Sequence, residues 1–383
     1  MKHFALAGIL LVLTLAACED PSGVGLSLIG ESGGEPVASE FPVAQMSERD
    51  ANDITGGTVA GGLPRVLAGR VEDPLLGTIG ATGYVDFQSP GGISDAFRNG
   101  TVTSAEIRLN RDYAYGDTAS TIQLQILEMV DEWSAVGLTA DSVLNSGEGV
   151  ATVEYLASDT LVVLPLPAEW VEANDAILRS TTFNDDFHGF GVRPVGGGAV
   201  SGFHLASAVL RVATESDTVN YVSNRGFTSI ERESGPGLPD RIAIQDGAGP
   251  AVALQVEPGT WDTLGAVAIN HAVVRLRADT TAVDLQKAPT FVRPHLTSLQ
   301  LAGYRAGALV FTLNAEMNAD GEFVFSRPQD IPFFFEELLA NEDREVRINV
   351  PGGLHTLNPV FLHAPTATEG RPTIVFTLTR ADL

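Results

Sequence analysis

Apolar and polar residues alternate along much of the chain. Ala105, Ile107 and Leu109 interleave with Glu106 and Arg108, Ile122, Leu124 and Ile126 interleave with Gln123 and Gln125, and Ala208, Leu210 and Val212 share one face. A period of two is that of a strand with one face buried. Further strands are predicted at Ala81–Phe87, 150–156, 160–164, 187–193 and 207–213. Only Glu169 to Asn174, which follows Pro165 and Pro167, has the pattern of a short helix. Asp73-Pro74 and Gly77 mark a turn ahead of the Ala81 strand, and Tyr115-Gly116-Asp117 offers turn chemistry between the next two strands.

The second half repeats this order. Ala272-Val273-Val274-Arg275-Leu276 stands 167 residues after Ala105-Glu106-Ile107-Arg108-Leu109, and a helical segment ending Ala340-Asn341 stands 167 residues after the one ending Ala173-Asn174. Ile374–Thr379 answers Val209–Thr214 at an offset of 165. Three elements in one order at nearly one spacing imply a duplication, with a junction near Glu215–Thr218. Many short strands, Gly-rich turns and little helix predict an all-β fold of two tandem antiparallel β-sandwiches, about eight strands each, which suits a jelly roll. A transmembrane barrel fits poorly, because Pro and Gly interrupt the strand regions and no aromatic girdles are visible.

The N-terminus changes the picture most. Lys2 and His3 precede an apolar run from Phe4 to Leu15, too short to span a bilayer, and Leu15-Ala16-Ala17-Cys18 matches the lipobox of bacterial lipoproteins. The expectation is a signal peptide over 1–17, lipidation at Cys18, and a flexible tether rich in Gly, Ser, Pro and acids over 18–62. The first β-sandwich then covers 63–215 and the second 216–383. Each half is expected to fold alone. Cys18 is the sole cysteine, so a lipidated chain holds no disulfide and its fold rests on core burial. The 48 acidic residues outnumber the 23 Lys and Arg, for a formal net charge of −25, which repels phosphate backbones and makes nucleic acid a poor partner.

Several segments resemble a known family. The lipobox followed by Asp20-Pro21 and Val24-Gly25-Leu26, then Leu67-Ala68-Gly69-Arg70, Asp73-Pro74-Leu75-Leu76-Gly77 and Tyr115-Gly116-Asp117, is similar to a bacterial lipoprotein family described only as a domain of unknown function (forty-two-seventy type). Ile242-Ala243-Ile244-Gln245-Asp246-Gly247 and Val267-Ala268-Ile269-Asn270-His271-Ala272 resemble that family's Ile-Gln-Gly and Ile-Asn-Lys-Ala-Glu-Leu segments, with His271 where the family more often has Lys. The resemblance implies a lipid-anchored envelope location and a fold, without implying a chemistry. Each half also resembles the jelly-roll modules of secreted polysaccharide-related proteins, a likeness that implies glycan binding.

Reactive groups are scarce. After the leader the only lysine is Lys287, with no Gly-rich loop before it, which removes P-loop and Schiff-base chemistry. Ser201 has Ala199 where a nucleophile elbow needs Gly. The histidines at 188, 204, 271, 295, 355 and 363 include no pair closer than eight residues, against the short spacings of zinc sites. His188, alternating with Phe190 and Val192, reads as a core imidazole. Glu316-x-Asn318-x-Asp320-Gly321 imitates an EF-hand start but reads as a hairpin turn. Asn184, Asp185 and Asp186 are weak calcium candidates before a strand, with a plain turn as the rival. Paired carboxylates for glycoside hydrolysis need only meet in space, so sequence leaves them open. Of Trp133, Trp170 and Trp261, Trp170 reads as core and Trp133, in a loop-like stretch, is the candidate glycan platform.

The sequence therefore points to a non-catalytic, cofactor-free cell-envelope lipoprotein in adhesion, scaffolding or envelope assembly, held in a membrane by its N-terminal lipid. The outer membrane is the expected site, facing the periplasm or the surface, with an envelope polysaccharide or protein as partner. The alternative is a glycan-binding surface lipoprotein, and a polysaccharide-acting enzyme is third.

Overall fold

The computed structural model describes residues 36–49, 64–247, 251–256, 267–326, 330–340, 344–351 and 355–380. Cys18, the leader and Trp261 lie outside the described residues. The fold is all-β and antiparallel, with two units built alike. The N-terminal strand is β1 (Val37–Arg49). There follow β2 (Arg65–Asp73), β3 (Gly77–Gln88), α1 (Asp95–Asn99), β4 (Val102–Asp117), β5 (Thr121–Met129), β6 (Ser146–Leu156) and β7 (Leu161–Pro165). Next come α2 (Ala168–Leu178), α3 (Phe183–Asp186), β8 (Phe190–Gly196), β9 (Ala199–His204), β10 (Val209–Thr214) and β11 (Thr218–Ser234). The remainder comprises β12 (Arg241–Gln245), β13 (Ala251–Val256), β14 (Val267–Arg277), β15 (Phe291–Val292), β16 (Ser298–Arg305) and β17 (Ala308–Glu316). Last are β18 (Glu322–Ser326), α4 (Asp330–Ala340), β19 (Arg344–Asn349), β20 (Pro359–His363) and β21 (Thr373–Arg380).

In the first unit the strands pair in the order β7-β4-β10-β11-β3-β8-β5-β6. In the second the order is β18-β14-β21-β1-β13-β19-β16-β17. Strand for strand these are one topology. Counting along each unit, the first strand pairs with the eighth, the second with the seventh and the third with the sixth, the nested pairs of a jelly-roll ribbon, while the fourth and fifth come into contact. Each unit adds a short pair, β2 with β9 and β12 with β20, and in each the helix after the fifth strand, α2 or α4, packs on the second strand. The registers agree as well. Ile107 faces Leu210 and Val274 faces Ile374, while Arg111 faces Phe203 and Ala278 faces Leu362. Ile374 thus stands at the place of Leu210, one residue from the alignment read off the sequence.

The eighth strand is where the units differ. In the first it is β11, joined to β10 across Glu215-Ser216-Asp217, a tight turn in which Thr214 N–H donates to the Asp217 carbonyl at 2.8 Å. In the second it is β1, inserted between β13 and β21. This corrects two expectations. Residues 37–49 are a sheet strand and not tether, because Phe41 and Val43 turn into the second core beside Ile374 and Phe376. The boundary near 215 cuts a hairpin, so the expectation that halves divided there fold alone gives way to units that exchange a strand's worth of sequence.

Other readings are refined. β4 runs through Tyr115-Gly116-Asp117, and the turn falls at Thr118–Ser120. Asp73 closes the predicted turn: its Oδ1 accepts from Leu75 and Leu76 N–H at 2.8 and 3.0 Å. Gly77 there has φ +88°, and a Cβ would meet the Glu233 carbonyl oxygen at 2.0 Å, so only glycine fits. Asp320-Gly321 is a turn, with Asn318 Oδ1 accepting from Asp320 and Glu322 N–H, but it links β17 to β18 at opposite ends of the sheet and is no hairpin.

Between the units lies a third apolar cluster. Leu67, Val71, Tyr113, Tyr115 and Phe227 of the first unit meet Val283, Phe291, Leu357 and Phe361 of the later chain. β15 pairs with the end of β4, so this seam is part of a sheet. Among the described residues no helix is long and apolar enough to cross a membrane.

Candidate functional site

A chemically varied concavity, a cleft of about 570 Å³, lies at one end of the first unit. Its wall is the end of β5 (Glu128, Met129) and the start of β6 (Glu148), and its opposite side is α2 (Glu169, Trp170), Asp186 of α3, and His188. The local sequence explains the placement. Trp170, Val171 and Leu178 form the buried face of α2. The indole of Trp170 is 8% exposed, packs against Phe190 at 5.4 Å, and donates from Nε1 to Glu128 Oε2 at 2.7 Å. Glu148, Glu169 and Asp186 are exposed. Carboxylates beside an indole edge can accept hydrogen bonds from ligand hydroxyls or attract a cation.

Trp133 is not a platform. It is 7% exposed, its Nε1 donates to the His188 carbonyl at 2.9 Å, and the Arg225 guanidinium lies 5.5 Å from the ring centroid. Arg225 is itself fixed by Asp86 at 2.7 Å and donates to the Trp133 carbonyl. The indole gains more area by closing this corner than by facing solvent. Asn184, Asp185 and Asp186 do not converge on one point: Asn184 Oδ1 accepts from Ser89 N–H at 2.8 Å, and Asp186 Oδ2 accepts from Thr182 Oγ1 at 2.6 Å. They form a short helical turn, and among the described residues no group of three or more His, Cys, Asp or Glu is gathered for a metal. His188 is half-buried at the cleft, because it precedes β8 and lies outside the alternation of that strand.

A second concavity, about 550 Å³, is basic: Arg275, Arg277 and Arg371 line it with Glu40 and Glu322. Arg371 is held by the Ala367 carbonyl.

A fully buried ion pair lies in the seam. Asp73 and Arg293 form a two-pronged ion pair at 2.8 Å with both side chains fully buried. Tyr115 donates its hydroxyl to Asp73 Oδ2 at 2.5 Å, and Arg293 also donates to the Val283 carbonyl at 2.7 Å. Burial pushes the Asp73 carboxyl up, but the hydrogen bonds from Arg293, Tyr115 and Leu76 outweigh it and hold it below the ordinary range. Nearby, Tyr113 donates to Asn358 at 3.0 Å and accepts from Leu357 N–H at 2.9 Å. Asp246 is the contrast. It accepts from Thr356 and from Gly247 N–H, and burial raises its carboxyl to about 7.

Sequence reasoning missed Trp170 as a cleft residue and the Asp73–Arg293 pair. Asp73 beside Pro74 carries only a turn signal, and its partner is 220 residues away. An arginine among Phe291, Val292 and Pro294 was the one available hint of a buried cation.

No family model matches the chain, and no curated protein matches it. A solved structure of infectious bursal disease virus, Gx strain, aligns at 8% identity over 92% of this chain and 78% of that one, with a TM-score of 0.13. A mutant VP2 protein of the same virus aligns at 10% identity over the same shares, with a TM-score of 0.09. Likeness at these scores carries no argument.

Proposed function

We propose that the protein is a non-catalytic, lipid-anchored protein of the cell envelope that serves in adhesion, scaffolding or envelope assembly. The observation that carries this reading is the place of β1. The strand that follows the proposed anchor segment is laddered over nearly its whole length, Val37–Pro42 to β21 and Val43–Arg49 to β13, so a pull on the N-terminus loads the two ladders in series. The apolar seam and its buried ion pair then tie the later chain, through β15 and β20, to the first unit. Such a body suits a load-bearing role and asks for no reactive group. The test has two arms. Labelling cells with a fatty-acid analogue should mark the parent and not Cys18→Ala, and the purified chain should be retained by envelope material while hydrolysing nothing in a polysaccharide and ester panel. Substrate-specific turnover abolished by one carboxylate substitution would overturn the reading.

A second reading, glycan binding, is favoured by the acidic cleft and the indole edge of Trp170. Its test is retention by a purified envelope glycan, reduced at least tenfold by Glu148→Gln with Glu169→Gln. Trp133→Ala is unsuitable as a probe, since that residue closes a packed corner.

A further inference from the structure

We propose that the adjoining edges of β21 and β13 form a strand-acceptor site, and that in an assembly they take β1 from a second copy of this chain. In the first unit the eighth position is filled by β11, covalently continuous with its neighbour across a three-residue turn. In the second unit the same position is filled by a strand that arrives from the far end of the sequence. Arg49 and Arg65 are separated by fifteen residues, which span at most about 50 Å. All the ladder partners of β1 lie in the second unit: Val37–Pro42 against Thr373–Leu378, and Val43–Arg49 against Ala251–Val256.

The recognition is that of an extended amphipathic peptide. Main-chain bonds tie Val37–Pro42 to β21 and Val43–Arg49 to β13, Phe41 sits 5.6 Å from Phe376, Val43 is 2% exposed, and Arg49 Nε meets Glu345 Oε1 at 2.8 Å. Nothing in these contacts depends on which copy supplies the strand. A donor from a second copy remakes the same bonds, and the balance is set by local concentration against the effective concentration that the fifteen-residue connection provides. Because each chain both donates and accepts, exchange gives closed pairs or open head-to-tail rows. This inference goes beyond the scaffold reading and does not depend on lipid attachment.

Ser47 faces Ala253 across the β1–β13 ladder, which gives a direct test in the full chain. In a Cys18→Ala background, two differently tagged chains carrying Ser47→Cys and Ala253→Cys are co-expressed and oxidised, and the double variant serves as the internal control. The expected result is a disulfide-linked heterodimer bearing both tags. An internal bridge in the double variant with no heterodimer from the single variants overturns the proposal. A second measurement decides the matter where the engineered bridge fails to close. Full chain with Phe41→Glu and Val43→Glu, which loosens its own β1, should bind a fluorescent peptide of residues 36–49 at least tenfold more tightly than the parent does. Equal or absent binding contradicts an acceptor site.

Discussion

The two units share a strand order and differ in how the eighth strand is supplied. β11 of the first follows its partner β10 directly, whereas β1 of the second comes from the opposite end of the sequence from its partner β21. Equivalent positions nonetheless carry equivalent side chains. Phe41 of β1 faces Ile374, and Tyr221 of β11 faces Leu210, which occupy matching places in the two sheets. Both aromatics are buried, Phe41 against Phe376 and Tyr221 against Phe183 at 4.3 Å. A sheet edge therefore fixes what must lie beside it, and chain order fixes only the route by which it arrives.

The seam is what makes the two units one body, so breaking it gives the largest expected effect. Arg293→Met leaves the Asp73 carboxylate buried without its cation, at a cost of about 3–5 kcal/mol. Calorimetry should then resolve two transitions where the parent shows one. The variant should also recover part of its loss in acid, where Asp73 takes up a proton.

Asp246 tests the same region with the opposite sign. Its carboxyl is raised from 3.8 to about 7, so the folded state holds a proton that the unfolded chain releases. The contribution is fully present below about pH 4 and is lost as pH rises toward 7, a change of up to about 4 kcal/mol at roughly 1.4 per pKa unit. Asp246→Asn should flatten urea-derived stability over that window. Asp73 behaves inversely: its contribution is present above the ordinary carboxylate range and is lost as pH falls below it.

The comparison of eighth strands is sharpened by truncating each aromatic. Phe41→Ala and Tyr221→Ala should each cost about 3 kcal/mol, as for a buried aromatic elsewhere. Hydrogen exchange should quicken in the second unit for the first variant and in the first unit for the second. A near-neutral Phe41→Ala would make β1 an accessory strand.

Much of the fold was legible, because β4, β5, β10 and β14 carry one buried face and write it as alternation. Even the repeat was visible through Ala105–Leu109 and Ala272–Leu276. What stayed hidden has physical causes. β1 turns only Phe41 and Val43 fully inward, has Pro42 between them, and finds partners more than 200 residues away, so it reads as tether. Glu215-Ser216-Asp217 has the composition of a linker and the geometry of a turn. Trp133 follows two acids, a loop signal, yet Arg225 of β11 covers it. The cleft was not foreseen: Asp186 was singled out for calcium with Asn184 and Asp185, and Glu128, Glu148 and Glu169 are brought beside it by the sheet and by α2.

The most direct measurement moves the strand. Val37 lies opposite Leu378, so the start of β1 is close to the end of β21. A rearranged chain of residues 50–383 followed directly by 36–49 would give the second unit a contiguous eighth strand, as β11 is for the first. Its urea unfolding is compared with that of 36–383 and of 50–383. The account predicts that the rearranged chain falls within about 1 kcal/mol of the first, given the small closure cost of short loops, and well above the second. A rearranged chain no more stable than 50–383 would contradict it.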